Sequence, residues 1–133
     1  MSDDTFRLED FEDVLAAEVR IKNPATGAPT PMVVTLAGPE HPDRKRIQFN
    51  KSRRLRAELS KTGKLPVTDP EDDEADETEM LVACTIGWTG AEPAFSKQAA
   101  RAVYVDPKRR WLRDQVLAAL NERELFTRAS APT

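Results

Sequence analysis

Cysteine and histidine are almost missing from this chain, and their scarcity removes most of the chemistry a small protein could carry. The single cysteine, Cys84, has no partner for an internal disulfide, and the single histidine, His41, lies far from it in sequence. Neither a metal-ligand cluster nor a close Cys-His dyad is therefore present as a motif. Aromatic residues are also few, with five Phe, two Trp and one Tyr among 133 residues, which argues against a large enzyme-like interior. No apolar run approaches the roughly 18 to 20 residues of a membrane span. The opening residues Met1 to Asp4 are acidic where a signal peptide is basic. These shortages predict a cytoplasmic protein that is not an enzyme and binds no membrane, cofactor or metal. The carboxylates between Asp69 and Glu79 contain no glycine, unlike a calcium loop, whose alternating ligands turn about one. Glu122 and Glu124 stand two apart and do not share a helix face, so they are not a catalytic pair.

What the chain has in abundance is charge. Its 14.9 kDa fits one domain that buries about two thirds of its unfolded surface. Charged residues make up 32% of it and hydrophobic residues 39%, with a net charge of -3 that disfavours general affinity for nucleic acid. The total conceals a segregation. Residues 1–22 hold seven acids against three bases, and residues 40–64 hold nine bases against three acids. Residues 69–79 hold eight acids and no base, and residues 97–128 hold eight bases against four acids. Blocks of opposite sign are expected to screen one another in the fold. The basic block lacks aromatic stacking residues or a reading motif, so a solvated face or a contact with the acidic blocks is its expected role.

The hydrophobic pattern predicts an α+β fold, an N-terminal β-hairpin followed by a mostly α-helical part of about four helices, all in one domain spanning 1–133. Phe6, Leu8 and Phe11 anchor a short acidic arm. Val19 and Ile21, then Met32, Val34 and Leu36, alternate with period two around the turn-rich segment Asn23 to Pro31, giving a hairpin over 18–37. A basic helix is predicted over 43–62, with Asp43 as N-cap and Gly63 as its left-handed stop. Ile47, Leu55 and Leu59 drift along one of its faces, and Phe49 points away. Residues 63–71 read as an acidic linker, the run from Asp69 to Asp76 as mobile, and residues 72–126 as the helical part, with helices over 72–88, 96–104 and 107–126. Ser96 and Asp106 are the expected caps of the last two, and 127–133 a frayed tail. Cys84, Trp88 and Trp111 are assigned to the core, and Leu125 with Phe126 to a partly exposed helix end.

The order of these pieces is more specific than any one of them. An acidic Phe-bearing start leads into Asn23-Pro24-Ala25-Thr26-Gly27, a strand ending Thr35-Leu36-Ala37-Gly38-Pro39-Glu40, a basic helix and an acidic linker. Met80-Leu81-Val82-Ala83-Cys84-Thr85-Ile86-Gly87-Trp88 follows, then Phe95-Ser96 with Ala99, Ala100 and Ala102, and lastly Trp111-Leu112-Arg113-Asp114-Gln115-Val116 running on to Phe126. Over nearly the whole chain this resembles the tail assembly chaperones of long-tailed bacteriophages and prophages, small proteins encoded before the tape measure protein.

The resemblance implies binding to the long, apolar, helical tape measure protein, several chaperone copies per client, until tail tube subunits polymerise and displace them. It also implies action in the cytoplasm of the bacterial host, absence from the mature virion, and a longer form made by ribosomal frameshifting. A client of that kind calls for apolar grooves rimmed by charge. The clearest apolar stripe lies on the C-terminal helix, which places the client surface at Leu112, Val116, Leu125 and Phe126, with Phe95 nearby and Arg109, Arg110, Arg113 and Arg123 as a rim. A virion structural protein, such as a minor tail or connector component, and a DNA-binding regulator using residues 44–64 are the alternative readings.

Overall fold

In the computed structural model, which describes residues 5–65 and 69–129, the acidic N-terminal arm makes one 3-10 turn and a short strand, β1 (Phe11–Asp13). The period-two segments then form the expected hairpin with longer limbs, β2 (Ala16–Lys22) and β3 (Pro29–Ala37). They pair antiparallel with Val19 opposite Val34 and Ala17 opposite Leu36. The turn is organised by Asn23, whose Oδ1 accepts from the backbone N–H groups of Ala25 (2.8 Å) and Thr26 (3.2 Å), and by Gly27 at φ +76°.

Helix α1 (Pro42–Thr62) is the basic helix and stops at Gly63, φ +72°, as its sequence predicts. Its N-cap is His41, not Asp43. The His41 Nδ1 accepts from the Asp43 N–H at 3.1 Å, while Pro42 supplies a preset φ at the first helical position. Helix α2 (Pro70–Cys84) takes in the last two residues of the acidic linker expected over 63–71 and corrects the irregular run expected from Asp69 to Asp76, which is helical from Pro70 onward; residues 66–68 of that linker lie outside the described residues. A proline at the first position and carboxylates at the positive end of the helix dipole outweigh their mutual repulsion.

A second correction lies at the other end of α2. The helix expected to reach Trp88 ends at Cys84, and Thr85–Thr89 forms strand β4, antiparallel to β3 with Val34 opposite Trp88 and Leu36 opposite Thr85. β-Branched Thr85, Ile86 and Thr89 suit a strand, and the free edge of β3 offers backbone partners that a continued helix would leave unused. The three-stranded sheet has the order β2-β3-β4.

Helix α3 (Lys97–Val105) starts at the expected cap, with Ser96 Oγ accepting from the Ala99 N–H at 2.9 Å. The single helix expected over 107–126 is three pieces: a 3-10 turn at Pro107–Arg109 capped by Asp106, helix α4 (Arg110–Leu120), and a 3-10 turn at Arg123–Phe126. The tail expected to fray from residue 127 continues instead as β5 (Thr127–Ala129), paired antiparallel with β1 so that Glu12 faces Arg128. The rest of that tail, 130–133, lies outside the described residues. The core lies between the β3 and β4 face and helices α2, α3 and α4, built from Val34, Leu36, Leu81, Trp88, Tyr104, Val116 and Phe126 among others. Among the described residues, no helix is long and apolar enough to cross a membrane.

Candidate client-binding surfaces

The residues assigned to a client surface do not form one patch. Leu112, Val116 and Phe126 are buried in the core, whereas Phe95 and Leu125 are half-buried against it. Phe126 departs furthest from its expected exposed position, at 1% exposure. The break in the helix after Leu120 lets the last 3-10 turn fold the ring inward. There it lies under the Arg44 guanidinium, 5.7 Å from the ring centroid, and against Gly38, where an added Cβ would come within 3.1 Å of the ring and 2.7 Å of the Val14 carbonyl. Periodicity could not reveal this, because a stripe looks the same whether a helix runs through Phe126 or stops short of it.

Of these residues Leu112 lines an apolar groove of about 430 Å³ that the sequence did not disclose. Its walls are Met32 of β3, Trp88 of β4, Val103 of α3, and Trp111 and Leu112 of α4, while Glu92, Asp106 and Arg109 stand at its rim. Phe95 does not line it but packs edge-on against Trp88 of its wall, 5.0 Å between ring centroids. Trp88 is fixed because its Nε1–H donates to the Pro93 carbonyl at 2.9 Å, and Trp111, half-buried, leaves part of its surface to the groove. Gly90, at φ +73°, closes the bend next to Trp88; a Cβ there would meet the Pro31 carbonyl oxygen at 2.0 Å.

A second groove, about 700 Å³, separates α1 from α2. Ile47, Met80 and Leu117 line it, with Lys51 and Arg54 on one wall and Asp73 and Asp76 on the other. Arg54 and Asp76 span it at 3.8 Å. Beyond this groove the two helices leave the core, for every described residue in 48–65 and in 69–75 is exposed. Phe49, Leu55 and Leu59 are among them.

The acidic blocks meet the C-terminal basic block, whereas among the described residues the basic block of α1 pairs with α2 through Arg54 and Asp76 alone. Glu74 pairs with Arg110 at 2.8 Å, Glu77 with Arg113 at 2.8 Å, and Glu79 with Arg101, so the acidic helix is clamped to α3 and α4. Glu12 and Asp13 pair with Arg128 and Arg123 at the termini. Arg113, expected at the rim, is interior. Its guanidinium donates to Glu77 Oε1, to Thr78 Oγ1 at 2.7 Å and to the Tyr104 and Glu74 carbonyls at 3.0 Å, tying three helices together. Lys97 Nζ donates to the Val82 and Thr85 carbonyls at 2.7 and 2.8 Å, satisfying the helix-to-strand junction. Cys84 sits in the same interior, and burial pushes its thiol pKa above the ordinary value. A thiol so placed is a small core residue, not a nucleophile. Among the described residues no group of three or more His, Cys, Asp or Glu side chains is arranged to hold a metal ion.

Comparison of the chain with protein-family models, with curated proteins and with solved structures gives no match.

Proposed function

We propose that this chain is a phage tail assembly chaperone that holds apolar helical segments of the tape measure protein in solution, with the Trp88–Trp111 groove as its anchor site. The observation that carries the reading is that groove: five large or apolar side chains from four elements, open to solvent and ringed by Glu92, Asp106 and Arg109. Such a surface suits one or two bulky residues on the apolar face of a client helix, while the rim holds polar flanks and water. The order of sequence pieces that resembles this chaperone family supports the same reading. A shallow groove of this size gives each copy a modest hold, which several copies along one client would multiply and incoming tube subunits could still displace.

The test is coexpression of the tape measure protein encoded beside this chain with wild type, Trp111→Ala and Phe49→Ala, reading soluble tape measure and each variant's melting curve. Wild type and Phe49→Ala should raise the soluble client several-fold over client alone, and folded Trp111→Ala should not. A wild type that leaves the client insoluble overturns the chaperone reading. A folded Trp111→Ala that solubilises normally moves the site out of the groove.

A further inference from the structure

Helices α1 and α2 form an arm whose two limbs carry opposite charge and leave much of it unused. Along α1, Lys51, Arg53, Arg56 and Lys61 have no acidic partner among the described residues; along α2, Asp69, Glu71, Asp72 and Asp73 have no basic one. Lys51 and Asp73 face each other across the α1–α2 groove without pairing, and helical spacing explains why Arg53 and Arg56 cannot reach α2 within one chain. Arg44, Ile47 and Arg54 mark the side of α1 that faces the core and α2. Phe49, Arg53 and Arg56 lie about half a turn away around the axis, so they point outward.

We infer that the arm pairs with the arm of a second copy of this chain across a two-fold axis, the basic limb of each against the acidic limb of the other. Segregation of sign by limb is what selects this arrangement. Opposed arms place cations against carboxylates along both seams, whereas limbs matched like to like would repel. One self-complementary patch used twice is the geometry of a two-fold dimer. Two such hairpins side by side make a four-helix arrangement that also covers Phe49, Leu55 and Leu59, which the monomer leaves exposed. A nucleic-acid duplex suits the arm less well. Laid on the basic limb, its phosphates would lie about one helix diameter, ~10 Å, from the carboxylates of α2, which is within about one Debye length at moderate salt. The pairing does not depend on which client the aromatic groove takes.

Sedimentation equilibrium of the nuclease-treated full chain reads it. At about 0.05 M salt the weight-average mass should rise with concentration toward twice 14.9 kDa, and at about 1 M salt, where screening is nearly complete, it should fall back to the monomer. Arg53→Glu with Arg56→Glu, and separately Asp72→Lys with Asp73→Lys, should each stay monomeric at low salt, and an equimolar mixture of the two should recover the dimer. Circular dichroism checks that both are folded. Should either be unfolded, Arg53→Gln with Arg56→Gln and Asp72→Asn with Asp73→Asn replace them and should each weaken association at least several-fold. A wild type that is monomeric at low salt, variants that associate as well as wild type, a folded mixture that fails to recover, or self-association that disappears with nuclease treatment would each overturn the inference.

Discussion

Arg113 and Phe126 show how one side chain can decide what surrounds it. Arg113 is 1% exposed and donates to four acceptors on α2 and α3. Glu77 is partly exposed and can be rehydrated, but removing Arg113 leaves the buried Thr78 hydroxyl and Tyr104 carbonyl without their donor, at about 1 to 3 kcal/mol for each buried group left unsatisfied. Arg113→Ala should therefore lower the urea midpoint far more than Thr78→Val, which takes away one hydroxyl partner at about 1 kcal/mol. Phe126→Ala empties a core site beneath Arg44, with an expected loss of about 3 to 5 kcal/mol, whereas Phe49→Ala, measured at about 1 M salt where the arm is unpaired, should stay within about 0.5 kcal/mol of wild type. Chemical denaturation of the two Phe variants separates core from surface directly. Cys84, fully buried with its pKa raised by burial, should react with a thiol reagent only after unfolding; rapid labelling of the folded chain would contradict its placement.

At the scale of elements, the chain changes secondary structure where local preference and tertiary pairing compete. Met80 to Trp88 has helical spacing of apolar residues, yet the helix gives way to a strand at Thr85 because β3 supplies hydrogen bonds there. The Thr85 hydroxyl bonds back to Leu81 at 2.7 Å and lies 2.8 Å from the Tyr104 hydroxyl, so the junction is tied to both the helix it ends and the helix it packs on. The bend after β4 depends on Gly90. Gly90→Ala combines a left-handed φ with a clash against the backbone of Pro31, and should destabilise by more than about 1 kcal/mol, while Gly63→Ala, left-handed but in open space, should cost less. Equal melting shifts for the two would show that the close approach at Pro31 is unimportant.

Across the whole molecule, the opposed charge blocks make stability depend on pH through the acidic helix. The Arg101 guanidinium beside Glu79 lowers the pKa of its carboxyl below the ordinary 4.5. The folded state therefore releases that proton more readily than the unfolded chain does. The contribution is present above the ordinary carboxylate value and is lost as pH falls through the lower folded value. Glu79→Gln should thus differ from wild type in urea midpoint at pH 7 and converge with it near pH 3, and the difference should be small because the pair is half exposed to solvent. A difference that persists unchanged into acid would mean that Glu79 contributes through packing instead.

Strong local signals in the sequence account for much of this architecture. Period-two alternation gives the hairpin, the charge blocks give the ionic pairings, and Ser96, Asp106 and Gly63 mark termini that their own backbone geometry dictates. These features depend on interactions within a few residues or on signs that any compact fold must match. Only the tertiary structure decided where α2 yields to β4, where α4 stops, that Phe126 turns inward, and that Arg113 becomes a core residue. Three of those outcomes depend on a partner more than eight residues away in sequence: β3 for Thr85–Thr89, Arg44 for the Phe126 ring, and Glu77 with Tyr104 for Arg113. The aromatic groove belongs with them, because Met32, Trp88, Val103 and Trp111 become neighbours only when sheet and helices pack. Periodicity reports which face of an element is apolar; what that face meets is a property of the packed chain.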